Sequence, residues 1–241
     1  MKRKTVIYTI LLLMISVPLF SFQLTPISTD MSTTGSGSVK NFTVINSNED
    51  IIAVQMSIYS RSTTLEGDEI NEPADDLFII YPSQIILKPG ENQIVKVQWK
   101  GMADITSELP FRIIAEQLPV NFSTEDNESG GLKIMFRYIG SVYVKSKSMK
   151  PDVIVESLTA VDDGKLRLVL SNKGQAHGIL SNLSLQITDN MGSDPLILSG
   201  PDLEGIEGEN ILAGEKRQFF ISRPPEVTDG ELNAVIFYQD H

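Results

Sequence analysis

The chain has 241 residues, 41% hydrophobic and 21% charged, enough apolar material to bury one large or two ordinary cores and too much for general disorder. Its formal charge of −11 argues against a nucleic-acid partner, because phosphate binding needs a basic face. The lack of cysteine excludes disulfides, zinc thiolates and thiol nucleophiles, and two histidines, His177 and His241, supply imidazole chemistry poorly.

Lys2, Arg3 and Lys4 make a basic start, and residues 6–20 are almost wholly apolar. About 15 apolar residues are short for a membrane span but suit the core of a secretory signal, with Ser21 as a small residue near the cleavage point. Residues 1–22 are expected to be a signal peptide, an uncleaved anchor being the alternative. Loss of the three basic residues takes the formal charge from −11 to −14.

Short patterned runs follow. Residues 22–38 read as a loosely patterned strand or loop, rich in Ser, Thr and Gly. Residues 39–45 and 51–59 read as strands, with Ile52, Val54, Met56 and Ile58 on one face and a turn cluster between the two runs. Acidic residues 67–76 read as an exposed loop. Short strands are expected at 78–81 and 84–87, then the turn Pro89-Gly90 and an alternating strand over 93–99. A helical turn is expected within 103–109, a strand over 110–118 and a polar loop over 121–131.

The run 132–144, LKIMFRYIGSVYV, alternates throughout. Leu132, Ile134, Phe136 and Tyr138 fall on one face of a strand, and Lys133, Met135, Arg137 and Ile139 fall on the other. A polar, basic linker over 145–152 is the expected domain boundary. Beyond it, strands are expected at 153–161, 165–171, 183–188, 196–198, 217–221 and 232–239, with an acidic loop over 200–210. Short strands split by turn signals, with no sustained helical repeat from 39 to 241, predict an all-β protein of two sandwiches.

The chain carries no nucleotide loop, no G-x-S-x-G, no H-E-x-x-H and no C-x-x-C. Asp75-Asp76 and Asp162-Asp163 sit in turn contexts and read as solvated surface, and His177 reads as an exposed or turn-packed residue. No constellation supports an enzyme, a cofactor or a metal site. Binding remains, and a sheet edge can bind another chain through its backbone.

Three stretches carry a resemblance: residues 81–97 (YPSQIILKPGENQIVKV), residues 108–119 (ELPFRIIAEQLP) and residues 132–144. They resemble the periplasmic pilus-chaperone family, and the run RYIGSVYV is most similar to its archaic branch. Family-like turns recur at 170–177 and 212–217. The resemblance covers most of the mature chain and implies an all-β fold of two immunoglobulin-like β-sandwich domains, 23–148 and 149–241, set at an angle. It also implies a periplasmic chaperone that lends a strand to pilus subunits lacking one and delivers them to an outer-membrane usher.

Under that resemblance Leu132, Ile134, Phe136 and Tyr138 match the strand-donating positions. Well-known members hold the subunit's terminal carboxylate with an Arg on the first strand and a Lys on the closing strand. Here residues 22–38 contain no basic residue, and the closing-strand position falls near Ser141. Arg137, Lys145 and Arg112 are the candidate carboxylate anchors. The short loop before the donor run and the missing cysteine pair favour the short-loop class. Self-association of the free form is left open. The competing structural reading is a pilus subunit or surface adhesin, disfavoured because residues 23–38 are poor in alternating apolar residues.

Overall fold

A computed structural model describes residues 22–120, 134–161, 164–189, 194–227 and 232–239. Residues 1–21 of the expected signal peptide, the expected loop 121–131, Leu132 and Asp162-Asp163 lie outside the described residues. The first half contains β1 (Phe22–Thr25), β2 (Ser28–Met31), β3 (Val39–Asn46), β4 (Ile52–Thr63), β5 (Glu69–Pro73), β6 (Phe78–Tyr81), β7 (Gln84–Leu87), β8 (Asn92–Trp99), β9 (Leu109–Gln117) and β10 (Arg137–Val144). The second half contains β11 (Val153–Val161), β12 (Lys165–Asn172), β13 (Gly178–Ile179), β14 (Ser181–Asp189), β15 (Leu196–Ser199), β16 (Asn210–Ile211), β17 (Lys216–Ser222) and β18 (Leu232–Gln239).

Two sheets face each other in the first half. One has the order β1-β3-β8-β6; the other has the order β2-β10-β9-β4-β5, with β7 also paired to β4. Alternation supplies the core. Phe42, Val44, Val95 and Val97 meet Met56, Ile58, Ile113 and Val142, and all are essentially inaccessible. Phe111 of the second sheet meets Phe78 of the first edge-on at 4.9 Å, and Trp99 lies 5.1 Å from Phe78, so three rings lock the sheets together.

The second half is a smaller sandwich, with sheets β11-β12-β17 and β15-β14-β18 and the two-stranded pair β13-β16. Its core is mainly aliphatic: Leu166, Leu168, Leu170, Leu180, Leu185 and Ile211 are buried, with Phe219 beside them. Each half anchors its turns with one buried asparagine at a strand end. Asn46 Nδ2 donates to the carbonyls of Asp50 (2.8 Å) and Leu87 (3.0 Å). Asn172 Nδ2 donates to Ala176 (2.8 Å) and Ile211 (2.9 Å), and its oxygen accepts from the amides of Asp152 and Gly174. An amide side chain offers donors and an acceptor together, so each saturates several buried backbone groups.

Several elements differ from the sequence expectation. Residues 22–31 form two strands, because Phe22, Leu24 and Met31 find buried partners that a local pattern does not display. The expected loop 67–76 contains β5, whose five exposed residues pair with β4 without burying a face. No helical turn forms within 103–109; that stretch is spent on contacts with the second half. The closing strand begins at Arg137 rather than at 132, since Ile134–Phe136 are described outside any strand. Residues 200–210 are not a bare loop: they open with a turn at Gly200–Leu203 and bury Leu203 and Ile206.

Replacing Phe111 by Ala is expected to cost about 3–5 kcal/mol, because the inter-sheet ring cluster cannot close around the lost volume. Denaturant unfolding checks this; a loss below about 1 kcal/mol would show that the cluster does not hold the sheets together.

Candidate functional site: an open strand edge beside a cleft

Strand β10 is paired along its whole length on one side and along half of it on the other. On the inner side it runs antiparallel to β9, from Arg137↔Glu116 to Val144↔Leu109. On the outer side the parallel strand β2 covers only Ser141–Val144. Bonds from Ser141 N to Ile27 O (2.8 Å) and from Lys145 N to Met31 O (2.9 Å) show that odd-numbered residues direct their backbone groups outward. Arg137 and Ile139 share that direction, and no described strand pairs with them there. Gly140 permits β2 to come so close: a Cβ there would lie 2.9 Å from Ile27 O and 2.9 Å from Ile113 Cγ2.

The residues ahead of this edge are apolar and partly exposed. Ile134 is 58% accessible, Met135 50% and Ile139 48%. Phe136 and Tyr138 lean on the rim of the first core, with the Tyr138 ring edge-on to Phe22 at 4.8 Å. Of the four donor-row residues predicted, Ile134 is free of the core, Phe136 and Tyr138 touch it, and Leu132 is outside the described residues.

The odd-numbered face of β10 looks into the cleft between the two halves. The Tyr143 ring stacks on His177 at 3.8 Å, and its hydroxyl accepts from Asn210 Nδ2 (2.9 Å) and Arg61 Nη1 (3.2 Å). Beside it the fully buried Glu108 carboxylate lies 2.7 Å from His177 Nδ1 and 3.6 Å from Lys145 Nζ, and Lys145 also pairs with Asp30 at 3.1 Å. A carboxylate removed from water needs such partners. A second bridge is the tip between β4 and β5: Gln218 N donates to Leu65 O (2.8 Å), and Thr63 N donates to the Glu215 carboxylate (3.1 Å).

Between these bridges lie two arginines and one acid. Arg61 Nε is 2.8 Å from Glu69, Arg112 Nε donates to Glu69 at 3.0 Å, and Arg112 also reaches the Ser141 hydroxyl. The cation side chains are only 9% and 18% accessible. Burial works most strongly on Glu69 and pushes its carboxyl up. The Arg112 hydrogen bond and the charges of Arg61 and Arg112 together outweigh it and hold the carboxyl below the usual carboxylate range.

Of the predicted anchors, Arg112 lies in this cluster, Lys145 serves the Glu108 junction, and Arg137 is exposed at the far end of the open edge. Arg61, Glu69, Glu108 and Tyr143 were not singled out from sequence. The one available signal was parity: Tyr143 alternates with Arg137 and Lys145 on one face. Among the described residues, no group of acids and histidines could hold a metal ion.

The family model described as "Pili and flagellar-assembly chaperone, PapD N-terminal domain" matches residues 23–147. The chain is similar to one in the crystal structure of the CsuC–CsuE chaperone–tip adhesion subunit pre-assembly complex from archaic chaperone-usher Csu pili of Acinetobacter baumannii. That likeness has 16% identity and a TM-score of 0.59, over 86% of this chain and 90% of that one. It is also similar to the class 5 fimbriae chaperone CfaA, with 11% identity and a TM-score of 0.56 over 89% and 97% of the two chains. For the E. coli chaperone DraB the values are 16% and 0.51, over 86% of each chain. At such identities the likeness shows the fold, two β-sandwich domains. No curated protein sequence matches the chain.

The Glu69 cluster makes stability depend on acid in one direction. A carboxyl whose folded value is lowered contributes fully above the unfolded value of about 4.3, and that contribution is lost as the pH falls through the folded value. Glu69→Gln is expected to cost roughly 1 kcal/mol at pH 7, with the gap between the two proteins closing in acid. Urea unfolding of both between pH 7 and pH 3 measures it; a gap that stays constant contradicts the assignment.

Proposed function

Because the chain belongs to the pili and flagellar-assembly chaperone family, we propose that it captures pilus subunits in the periplasm by lending them the strand that ends in β10. The observation that carries this is the half-open edge: β2 covers Ser141–Val144 and leaves the outward backbone groups of Arg137 and Ile139 to an added strand. A subunit lacking one strand has the complementary defect, an unpaired edge beside an open apolar groove. Leu132, Ile134 and Phe136 fill that groove, with Tyr138 at its rim. Burying each such side chain contributes about 1.5–3 kcal/mol.

The end of the edge selects what the added strand carries. β2 blocks it from Ser141 onward, about 7 Å beyond Ile139. A strand running parallel to β10 therefore ends there with its carboxylate beside Arg112, where a charge-assisted bond can hold it. Arg112 is the first choice of anchor, because it already reaches Ser141, where the added strand ends, whereas Lys145 is drawn to Glu108 and Asp30. Arg137, at the other end, fits a role in register.

The remaining assignments follow from the same reading. The protein acts without enzymatic chemistry, hands its cargo to an outer-membrane usher, and belongs to the short-loop, archaic type. Residues 23–148 form the subunit-binding domain and residues 149–241 the second domain. The burial of Phe22 supports signal cleavage at Ser21, one residue earlier than the sequence expectation. Incorporation of residues 22–31 into the sheets as β1 and β2 disfavours a subunit with a detached N-terminal extension.

Co-expression with candidate subunits followed by pull-down tests the proposal. Ile134→Asp is expected to reduce capture at least tenfold with unchanged stability, since Ile134 touches neither core. Phe136→Asp is expected to reduce it further while lowering stability somewhat. Undiminished capture by both variants would refute strand donation.

A further inference from the structure

Two buried guanidinium groups side by side would repel each other and lose hydration, so the cleft needs an anion whether or not a partner is present. In the free protein Glu69 supplies it. Its carboxylate lies between Arg61 and Arg112, and Arg112 also reaches Ser141, where β2 closes the edge of β10. The fit is incomplete. Arg61 Nε is buried and within 2.8 Å of Glu69, yet it makes no directed hydrogen bond among the described residues. The Arg61 side chain is 9% accessible, so water does not satisfy that group freely.

Glu69 also sits where it can leave. It is the first residue of β5, an edge strand that among the described residues pairs with β4 alone and exposes all five residues. The neighbouring tip is held separately on β17 through Leu65, Glu66 and Gln218. The carboxylate can therefore swing out by side-chain rotation while the bridge between the halves stays made.

We propose that Glu69 is a built-in occupant of the Arg61–Arg112 cation pair, which keeps the pair closed to small anions until a chain-terminal carboxylate replaces it. This rests on the proposed function only for the identity of the replacing group; the occupancy and exchange follow from the cleft itself. Replacement is an exchange of one carboxylate for another, so no bare cation pair is exposed on the way. A terminal carboxylate approaching along the edge of β10 adds backbone pairing that a free anion lacks, and so displaces Glu69 where acetate does not. The internal carboxylate lowers the apparent affinity for any competitor by the fraction of time the pair stands open.

The test uses N-acetylglycine as the carboxylate probe and N-acetylglycinamide as its neutral counterpart. Arginine Nε–H resonances, assigned through Arg61→Lys and Arg112→Lys, report binding in the full mature chain. Glu69→Gln is expected to bind N-acetylglycine at least about tenfold more tightly than the unmodified protein, with shifts at both arginines, and to ignore the amide. Adding Arg112→Gln to Glu69→Gln is expected to abolish the response. Equal affinity in the unmodified protein and in Glu69→Gln overturns the proposal, as does a response of Glu69→Gln to the amide. If Glu69→Gln does not fold, Glu69→Ala at the same exposed strand position is read by the same criteria. No subunit is needed, so failure of strand donation in pull-down and failure of carboxylate exchange here are separate outcomes.

Discussion

The parallel ladder between β2 and the second half of β10 is the constraint on which the rest depends. It is short, four residues, and it ends where the chain approaches β10 closely enough that only a glycine fits. Extended over all of β10 it would leave no edge to offer. Without it the edge would run open to Val144, with nothing to stop or orient an added strand. An unpaired edge is a hazard in most sheets and is usually covered or charged. Here its open part carries Arg137 and lies beside exposed Ile134 and Met135, so charge and apolar surface share the same few residues.

The same strand connects that edge to the junction of the two halves. Its odd-numbered side chains pass from the open edge through Ser141 to Tyr143, which stacks on His177, and Lys145 just beyond its end reaches buried Glu108. A junction built from hydrogen bonds and one buried acid is directional in a way that an apolar contact is not. The Glu108 carboxylate retains its partners only if His177 and Lys145 keep their places, so it specifies one arrangement of the halves. The tip between β4 and β5 adds a second, independent point of contact on β17. Two separated contacts resist twisting as well as opening.

Charge in the cleft follows the opposite sense from charge over the chain. The protein is strongly acidic, yet Arg61 and Arg112 are drawn together on one sheet face beneath the junction. Glu69 balances them at close range, and their charges and the Arg112 hydrogen bond hold its carboxyl below the usual carboxylate range. Bulk charge argues against a nucleic-acid partner without describing the place on this sheet face where an anion is held.

The sequence by itself determined the all-β architecture, the division into two apolar clusters and most strand positions, because alternation and turn residues are local properties of the chain. It also marked the 132–144 run as the feature to watch, and family resemblance supplied a role for it. Tertiary structure decided what local pattern does not encode. Strands β1, β2 and β5 exist because distant partners pair with them, and the strand after Phe136 has a described neighbour on its outer side along only half its length. Arg112 lies 43 residues beyond Glu69, and it joins Arg61 and Glu69 in one cluster only when β9 stands beside β4 and β5. Electrostatic partners separated by dozens of residues leave no periodicity to read, which is why the sequence marked the 132–144 run and not the cation pair with its own carboxylate.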